Sequence, residues 1–223
     1  MTEPRRGRPR TPLLSRESIV EATLKVIDAE GTAAVGMRSV ARALGVDAKS
    51  LYNHVDGKDG LLDAVTEHLL GSLELPAPTG NPRHDLHAIA AGFRAQALKH
   101  PQAAPLVLTR QLASPQALAP VNAVLKVLVD AGAGTEEAVH MLRMLLATLI
   151  GTLLREVSAA PTFGDSDNGR EQTLRTSGLD ALAEAAEHLA RFDREAEYEY
   201  TVDLAVTAVL DRIGGQRSGS MSS

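Results

Sequence analysis

The sequence contains no cysteine and no tryptophan, and it has only three phenylalanines and three tyrosines among 223 residues. Without cysteine the chain can form no disulfide bond, no thiolate metal site and no cysteine nucleophile. With so few aromatic rings, the core must be built from leucine, valine and alanine, a composition typical of packed helices. Because no apolar–polar alternation marks a strand, we expect an all-α fold.

Long apolar runs are lacking as well. The longest, 145–154, is interrupted by two threonines and is about half as long as a membrane-spanning helix. The first residues lack the apolar stretch of a signal peptide. We therefore expect a cytoplasmic protein with no membrane partner.

Catalytic and metal-binding patterns are also missing. No glycine-rich phosphate loop follows a strand, and no nucleophile stands in a strand-to-helix turn. His84 and His87 are three residues apart and can share a helix face, as zinc ligands do, but no third ligand follows at suitable spacing. We expect neither an enzyme nor a metal or cofactor site.

The charge is distributed unevenly along the chain. The net charge is −5, yet residues 1–60 carry ten basic against eight acidic residues, a net of +2, whereas residues 61–223 carry thirteen against twenty, a net of −7. A mildly basic N-terminal part on an acidic remainder is compatible with attraction to phosphate at one end only.

Residues 37–58, MRSVARALGVDAKSLYNHVDGK, have the pattern of two short helices around a tight turn. Val40, Ala41 and Leu44 recur at helical spacing. Gly45 suits a left-handed helix end, and Asp47 is placed to cap a second helix over 48–54. With Leu51 and Val55 facing inward, the polar residues between them face outward. This arrangement indicates a DNA-binding helix-turn-helix.

The same residues resemble the tetracycline-repressor (TetR) family of transcription regulators. The likeness is carried by Gly36 to Ala41, by Leu44-Gly45-Val46, by Ser50 to Val55 and by Lys58 with Leu61-Leu62. The leading helix from Ser15 fits the same pattern. A looser likeness to the family's regulatory domain covers 149–156 and 192–213.

The resemblance implies roles for particular side chains. Arg38 is expected to contact a base, with two hydrogen bonds to guanine, or else a phosphate. Tyr52 and His54 are implied to hold the DNA backbone with Lys58 beside them. Ala48 and Lys49 occupy positions where the family reads bases, and Asn53 can bond a base or a phosphate. The predicted DNA-binding set is Arg38, Ala48, Lys49, Ser50, Tyr52, Asn53, His54 and Lys58.

Four segments follow from these patterns: a flexible basic arm over 1–14, the helix-turn-helix domain over 15–60, a ligand-binding and dimerisation domain over 61–213, and a disordered tail over 214–223. The arm is either a solubilising tail or a minor-groove contact through its four arginines. A fourth helix over 58–75 joins the two domains. Further helices are predicted at 83–99, 102–112, 115–130, 135–158, 178–190 and 194–213, with a mobile loop over 159–177.

The helical domain is expected to hold a mostly apolar effector pocket. The predicted lining residues are Phe93, Gln96, His100, Arg110, Gln111, Met141, Met144 and Thr148, with plain core packing as the alternative for Phe93 and the two methionines. The stretches 70–76 and 105–110 lack the histidines with which the tetracycline repressor holds its drug-bound magnesium, which argues against that ligand.

The helices over 135–158 and 194–213 are apolar on more than one face. The resemblance implies a homodimer through these two helices, and hence a palindromic operator in double-stranded DNA. The predicted function is a repressor released by a small molecule. A DNA-binding regulator gated by a protein partner is the alternative.

Overall fold

A computed structural model describes residues 14–110, 114–157 and 168–220. Within these ranges the chain is helical and contains no strand, so the predicted all-α class is confirmed. The chain divides into two compact units, which we call the head, ending at Val65, and the body, beginning at Thr66. The division falls five residues after the predicted boundary, inside the fourth helix, because that helix supplies Leu61, Leu62 and Val65 to the first core.

The head consists of α1 (Arg16–Glu30), α2 (Met37–Leu44), α3 (Ala48–Leu51) and the first part of α4 (Gly57–Gly71). Ser15 caps α1 with its side chain, and Gly31 ends it with a φ of 81°. Ile19, Ile27, Val40, Leu51 and Leu61 are completely buried. Aliphatic side chains at helical spacing thus form one small core.

The body contains the remaining helices of the described chain. They are α5 (Pro82–Lys99), α6 (Ala104–Thr109), α7 (Pro115–Asp130), α8 (Thr135–Val157), α9 (Asn168–Arg175), α10 (Asp180–Glu184), α11 (Ala186–Leu189) and α12 (Arg194–Ser220). α12 packs along α8 and α5, and α7 packs against both α5 and α8. α9, α10 and α11 pack mainly against one another.

Two predicted irregular segments are partly helical, so those predictions were wrong. Within the predicted loop over 159–177, residues 168–175 form α9, where Glu171 and Arg175 pair at 2.6 Å across one turn. Within the predicted tail over 214–223, α12 continues through Ser220. A helix already formed gains one backbone hydrogen bond for each added residue, so glycines weaken it without necessarily ending it.

Other helix boundaries differ by several residues. The fourth helix ends at Gly71 rather than near residue 75, α6 is shorter than the predicted 102–112, and the predicted helix over 178–190 is divided at Ala185 into α10 and α11. Residues 1–13 of the predicted basic arm, residues 111–113, residues 158–167 and residues 221–223 lie outside the described residues.

α8 has the length and composition of a membrane-spanning helix, and 22% of its most apolar stretch is buried within the chain. Core helices of globular proteins can have the same length and composition. α8 also carries the basic Arg143 and Arg155 and the buried carboxylate of Glu156.

A buried ion pair ties α5 to α8. Nε of Arg94 donates to both carboxylate oxygens of Glu156 at 3.0 and 3.1 Å, and Nη2 donates to Oε1 at 2.7 Å. The side chain of Glu156 is only 5% exposed. The guanidinium also lies 5.1 Å from the ring centre of Tyr198 on α12. The hydrogen bonds to Glu156 raise the pKa of Arg94, so the guanidinium keeps its charge.

Tyr198 completes this cluster by donating its hydroxyl to the carbonyl oxygen of Ala90 at 2.7 Å. Burial raises the pKa of Tyr198, so its hydroxyl stays protonated and able to donate. Three helices of the body are therefore joined by charge-assisted and neutral hydrogen bonds at one place.

Glu156→Leu should lower the free energy of unfolding by about 3 kcal/mol, because it leaves the Arg94 guanidinium without its main partner. The double variant Arg94→Met/Glu156→Leu should cost less than Glu156→Leu alone, since no unpaired charge remains. Glu187→Leu is the control: its pair with Arg191 is exposed, and its loss should cost about 0.5 kcal/mol or less. Urea unfolding followed by circular dichroism measures these variants together with Arg94→Met, and single changes whose costs add up strictly in the double variant would contradict the coupling.

Candidate DNA-reading surface and effector cavity

The turn between α2 and α3 has the geometry predicted from its residues. Gly45 adopts a left-handed φ of 68°. Its amide donates to the carbonyl of Arg42 at 3.2 Å, and the amide of Val46 donates to that of Ala41 at 3.0 Å. Both bonds satisfy carbonyls that the end of α2 would otherwise leave unpaired. The turn is therefore closed by backbone hydrogen bonds that depend on Gly45.

Asp47 then starts α3. Its Oδ1 accepts a hydrogen bond from the amide of Lys49 at 2.7 Å, as the sequence predicts for a capping residue. The regular helix ends at Leu51 rather than at residue 54. The amides of His54 and Val55 both donate to the carbonyl of Leu51, at 2.9 and 3.1 Å, so residues 52–54 continue the winding as a turn.

The outer side of this unit carries the predicted DNA-binding residues. Leu51 and Val55 are buried and anchor α3 and its following turn from within. Six of the eight predicted residues are exposed and the other two are half-buried; the exposed ones are Arg38, Lys49, Tyr52, Asn53, His54 and Lys58, and the half-buried ones are Ala48 and Ser50. Tyr52 is 59% exposed, more than is usual for a tyrosine in a folded protein.

Arg38 lies in the first turn of α2. The start of this helix is organised by Ser39, whose Oγ accepts a hydrogen bond from the amide of Gly36 at 3.0 Å and lies 2.9 Å from the carbonyl oxygens of Ala34 and Gly36. The sequence reasoning missed this capping arrangement, although a serine three residues after Gly36 is a usable signal. Arg38 is thus presented from an ordered helix start.

Lys58, at the start of α4, contacts the 3₁₀ turn Thr32–Ala34 through a hydrogen bond of 3.3 Å from Nζ to the carbonyl oxygen of Ala33. An ammonium group has three hydrogens to donate, so this contact leaves capacity for a phosphate oxygen. The bond also holds the Lys58 side chain against the rest of the head.

The body contains an apolar cavity of about 50 Å³ between α5, α7, α8 and α12. Of the predicted effector residues, Phe93 and Thr148 line it. The other lining residues are aliphatic or proline: Leu86, Ile89, Ala90, Pro120, Val121, Val124, Leu142, Leu145, Leu146, Leu149, Val202, Ala205 and Val206. Sequence reasoning missed these because an aliphatic residue facing a cavity has the same pattern as one in the core.

The remaining predicted effector residues do not converge on this cavity. Gln96 and His100 line a separate hollow of about 20 Å³, to which Phe93 also contributes, and Gln96 donates to Oγ of Ser72 at 3.1 Å. Met141 is buried in the core, whereas Met144 is 37% exposed. Arg110 is half-buried at the end of α6, and Gln111 lies outside the described residues.

The histidines show no metal-binding geometry among the described residues, where no group of three or more potential ligands was found. His87 lies 3.2 Å from Oδ1 of Asp203, which also accepts a hydrogen bond from Arg83 at 2.9 Å. His84 is exposed near the start of α5. His87 and Arg83 therefore contact the same carboxylate at the surface. The positive charge of Arg83 beside it disfavours binding of a metal cation at this place.

Two family descriptions match the chain. Residues 19–65 match bacterial regulatory proteins of the tetR family, and residues 75–206 match the tetracyclin repressor-like C-terminal domain.

The chain belongs to the TetR family. The resemblance carried by the helix-turn-helix residues is thereby confirmed, and the second match extends it over most of the body. Membership makes the head of this TetR-family protein a DNA-binding unit of a transcription regulator.

Named relatives agree with this assignment. An HTH-type transcriptional regulator of Saccharopolyspora erythraea is 32% identical over 213 residues, which are 90% of this chain and 88% of the relative. The class E tetracycline repressor of Escherichia coli is 30% identical over 64% of this chain and 69% of its own length. Both are regulators rather than enzymes.

The fold is shared with ActR from Streptomyces coelicolor. The apo structure of ActR matches with a TM-score of 0.81 at 24% identity, over 91% of this chain and 98% of ActR. ActR is also known in complex with actinorhodin, and that structure matches with a TM-score of 0.79 at 22% identity, over 89% of this chain and 96% of that chain. At this identity the likeness concerns the arrangement of helices.

Gly45→Ala should lower the free energy of unfolding by about 1 kcal/mol, because a Cβ is disfavoured at a left-handed φ. No atom lies within 4 Å of the added Cβ, so the penalty is conformational. Gly214→Ala, the same chemical change inside α12, should instead stabilise by about 0.5 kcal/mol or more. Thermal and urea unfolding of both variants test the opposite signs, and stabilisation by Gly45→Ala would refute the proposed role of the turn.

Proposed function

We propose that the protein is a homodimeric repressor that acts in the cytoplasm, binds a palindromic operator in double-stranded DNA and is released from it by a small molecule. The observation that carries the proposal is the polar outer side of α3 and its following turn, held by the buried Leu51 and Val55. Exposed lysine, tyrosine, asparagine and histidine side chains stand together there. An α-helix of this kind fits the major groove.

The side chains divide by chemistry into base-reading and backbone-binding residues. The Arg38 guanidinium can form two parallel hydrogen bonds to O6 and N7 of guanine. The Lys49 ammonium can donate to the same guanine acceptors, and the methyl group of Ala48 can contact the methyl group of thymine. Tyr52, His54 and Lys58 supply donors for phosphate oxygens and hold the register, and Ser50 and Asn53 can bond either a base or the backbone.

Dimerisation is supported by apolar residues that α8 and α12 leave exposed. On α8, Met144, Ala147 and Gly151 follow one another at intervals of three and four residues, and all are exposed. On α12, Tyr200 and Leu204 are 68% and 57% exposed. Since α8 and α12 pack on each other, two such stripes from a second copy would complete a four-helix bundle. A twofold dimer presents two heads to a palindrome.

Release by a small molecule requires that the ligand favour one conformation of the protein over another. α4 contains residues of both the head and the body, so a ligand that changes the packing of the body can act on the head through this helix. The coupling cannot exceed the difference in the affinity of the ligand for the two conformations.

The alternative, gating by a protein partner, is favoured by one observation. The cavity between α5, α7, α8 and α12 measures about 50 Å³, whereas sites for drug-sized ligands usually occupy about 300 Å³ or more. A body without further space would have to respond to a partner at its surface. A larger hollow of the body, of about 370 Å³, supports the small-molecule proposal instead.

The DNA contacts are tested by fluorescence anisotropy on the DNA upstream of the protein's own gene, across a series of salt concentrations. Arg38→Ala should weaken binding to this DNA by roughly tenfold or more and should affect a scrambled sequence less, because a base contact is lost. Lys58→Ala should weaken binding to both sequences and should reduce the salt slope by about one, because a phosphate contact is lost.

Lys25→Ala provides the matched control. It removes the same charge from an exposed position of the head, but on α1. If Lys25→Ala weakened binding as much as Arg38→Ala and Lys58→Ala, the effect would be one of net charge, and the assigned reading surface would be wrong.

The dimer is tested by sedimentation equilibrium. Leu204→Glu places a charge on the exposed stripe of α12 and should shift the dimer towards monomer by roughly tenfold or more in dissociation constant, since a carboxylate would be buried without a partner. Leu98→Glu makes the same change at a 43% exposed position of α5 and should leave the dimer intact. Equal effects of both changes, or a monomeric parent protein, would contradict the assigned interface.

A further inference from the structure

The body contains another, larger hollow beside the apolar cavity, here called the cleft. It measures about 370 Å³ and lies between the segment 75–82, the start of α5 and one face of α7. Among the described residues, Ile89 is the one residue that lines both the cleft and the cavity, and it is 6% exposed. A single aliphatic side chain therefore stands where the two spaces meet.

α7 also separates the two spaces, with different residues on each side. Pro120, Val121 and Val124 line the cavity, whereas Ala119, Asn122 and Ala123 line the cleft. The cavity side is thus entirely apolar, and the cleft side includes an amide.

The cavity accepts only uncharged groups. Thr148 has the one hydrogen-bonding side chain among its described lining residues, and its hydroxyl lies 3.7 Å from the sulfur of Met144. A charged group placed there would lose its hydration without gaining a partner, which is costly. A small alkyl group would instead exchange water contact for aliphatic contact.

The rim of the cleft is held in place by Asp85. Its carboxylate accepts hydrogen bonds from the hydroxyl of Thr79 at 2.6 Å and from the Thr79 amide at 3.0 and 3.1 Å. These bonds, chiefly that from the hydroxyl, lower the pKa of Asp85. Pro76, Pro78 and Pro82 stiffen the same segment. The cleft is therefore preformed, and Asp85 is already engaged.

The outer end of the cleft offers balanced polar groups. Nζ of Lys126 pairs with Asp130 at 2.8 Å, and both residues line the cleft together with the exposed Asn122. Since the ammonium and the carboxylate neutralise each other, this end favours a hydrogen-bonding group over a full charge of either sign.

We propose that the cleft and the cavity form one effector site, with Ile89 as the gate between them, and that its ligand is an uncharged, mainly apolar molecule. The apolar body of the ligand fills the cleft, a small alkyl end enters the cavity past Ile89, and the hydrogen-bonding end stays beside Asn122 and Lys126. The cavity alone is too small for such a molecule, whereas the cleft has the volume usual for ligand sites. This inference rests on the proposed release by a small molecule and names its site and ligand class.

Two dyes with the same ring system test the ligand class. N-phenyl-1-naphthylamine is uncharged, and 8-anilinonaphthalene-1-sulfonate adds one sulfonate; both fluoresce more strongly in apolar surroundings. Titrated against the full-length dimer, the uncharged dye should bind saturably with one site per chain, and the sulfonate should bind roughly tenfold more weakly or worse. Equal affinity for the two dyes would overturn the assigned ligand class.

Three variants test the route. Ala119→Phe fills the mouth of the cleft from an exposed position and should weaken binding of the uncharged dye by roughly tenfold. Ala95→Phe, also at an exposed position but outside both spaces, should leave binding unchanged. Ile89→Ala should speed association in stopped flow by roughly tenfold, because the gate is removed. Ala119→Phe stays informative if Ile89→Ala does not fold.

Unchanged binding in Ala119→Phe would overturn the cleft as part of the site. Because dye binding is measured without DNA, it separates this inference from the proposed function. Absence of dye binding by a protein that binds its operator would overturn the site alone, whereas specific dye binding that fails to release the operator would support the site and overturn the proposed release of the operator.

Discussion

The contact between Arg94 and Glu156 determines how the helices of the body meet. Glu156 is almost completely buried, so its charge is tolerable only where a guanidinium with two suitably placed donors reaches it. That requirement positions α5 against α8, and the Tyr198 ring beside the guanidinium brings in α12. An apolar core can slide by small steps without a large penalty, but a buried bidentate ion pair cannot.

The cavity lies on the same helices. Phe93 directly precedes Arg94 on α5, and Leu149 lies two turns before Glu156 on α8. With the ion pair holding these helices at one place, the aliphatic side chains farther along must fill whatever space the helix geometry leaves. They leave a small apolar cavity, because close packing of unequal side chains from four helices is seldom complete.

In the head, local sequence signals are sufficient to determine where the helices begin and end. A glycine with a positive φ ends α2, an aspartate caps α3, and two buried aliphatic residues hold the short helix down. Each signal acts over a few residues, and the sequence predicted the structural role of each. Polar residues such as Lys49, Tyr52 and His54 remain on the outside, where we propose that they contact DNA.

The amino-acid sequence by itself determined the helical class, most helix positions, the helix-turn-helix and the family, because these depend on spacing, capping and composition within short stretches. It missed α9 and the extension of α12, since glycine and polar residues lower helix stability without forbidding it. Only the tertiary structure decided which apolar residues face a cavity, that Ile89 lies between cavity and cleft, and that Arg94 pairs with Glu156. Those relations join residues tens of positions apart, and an aliphatic side chain carries no local mark of whether its neighbour in space is another side chain or a void.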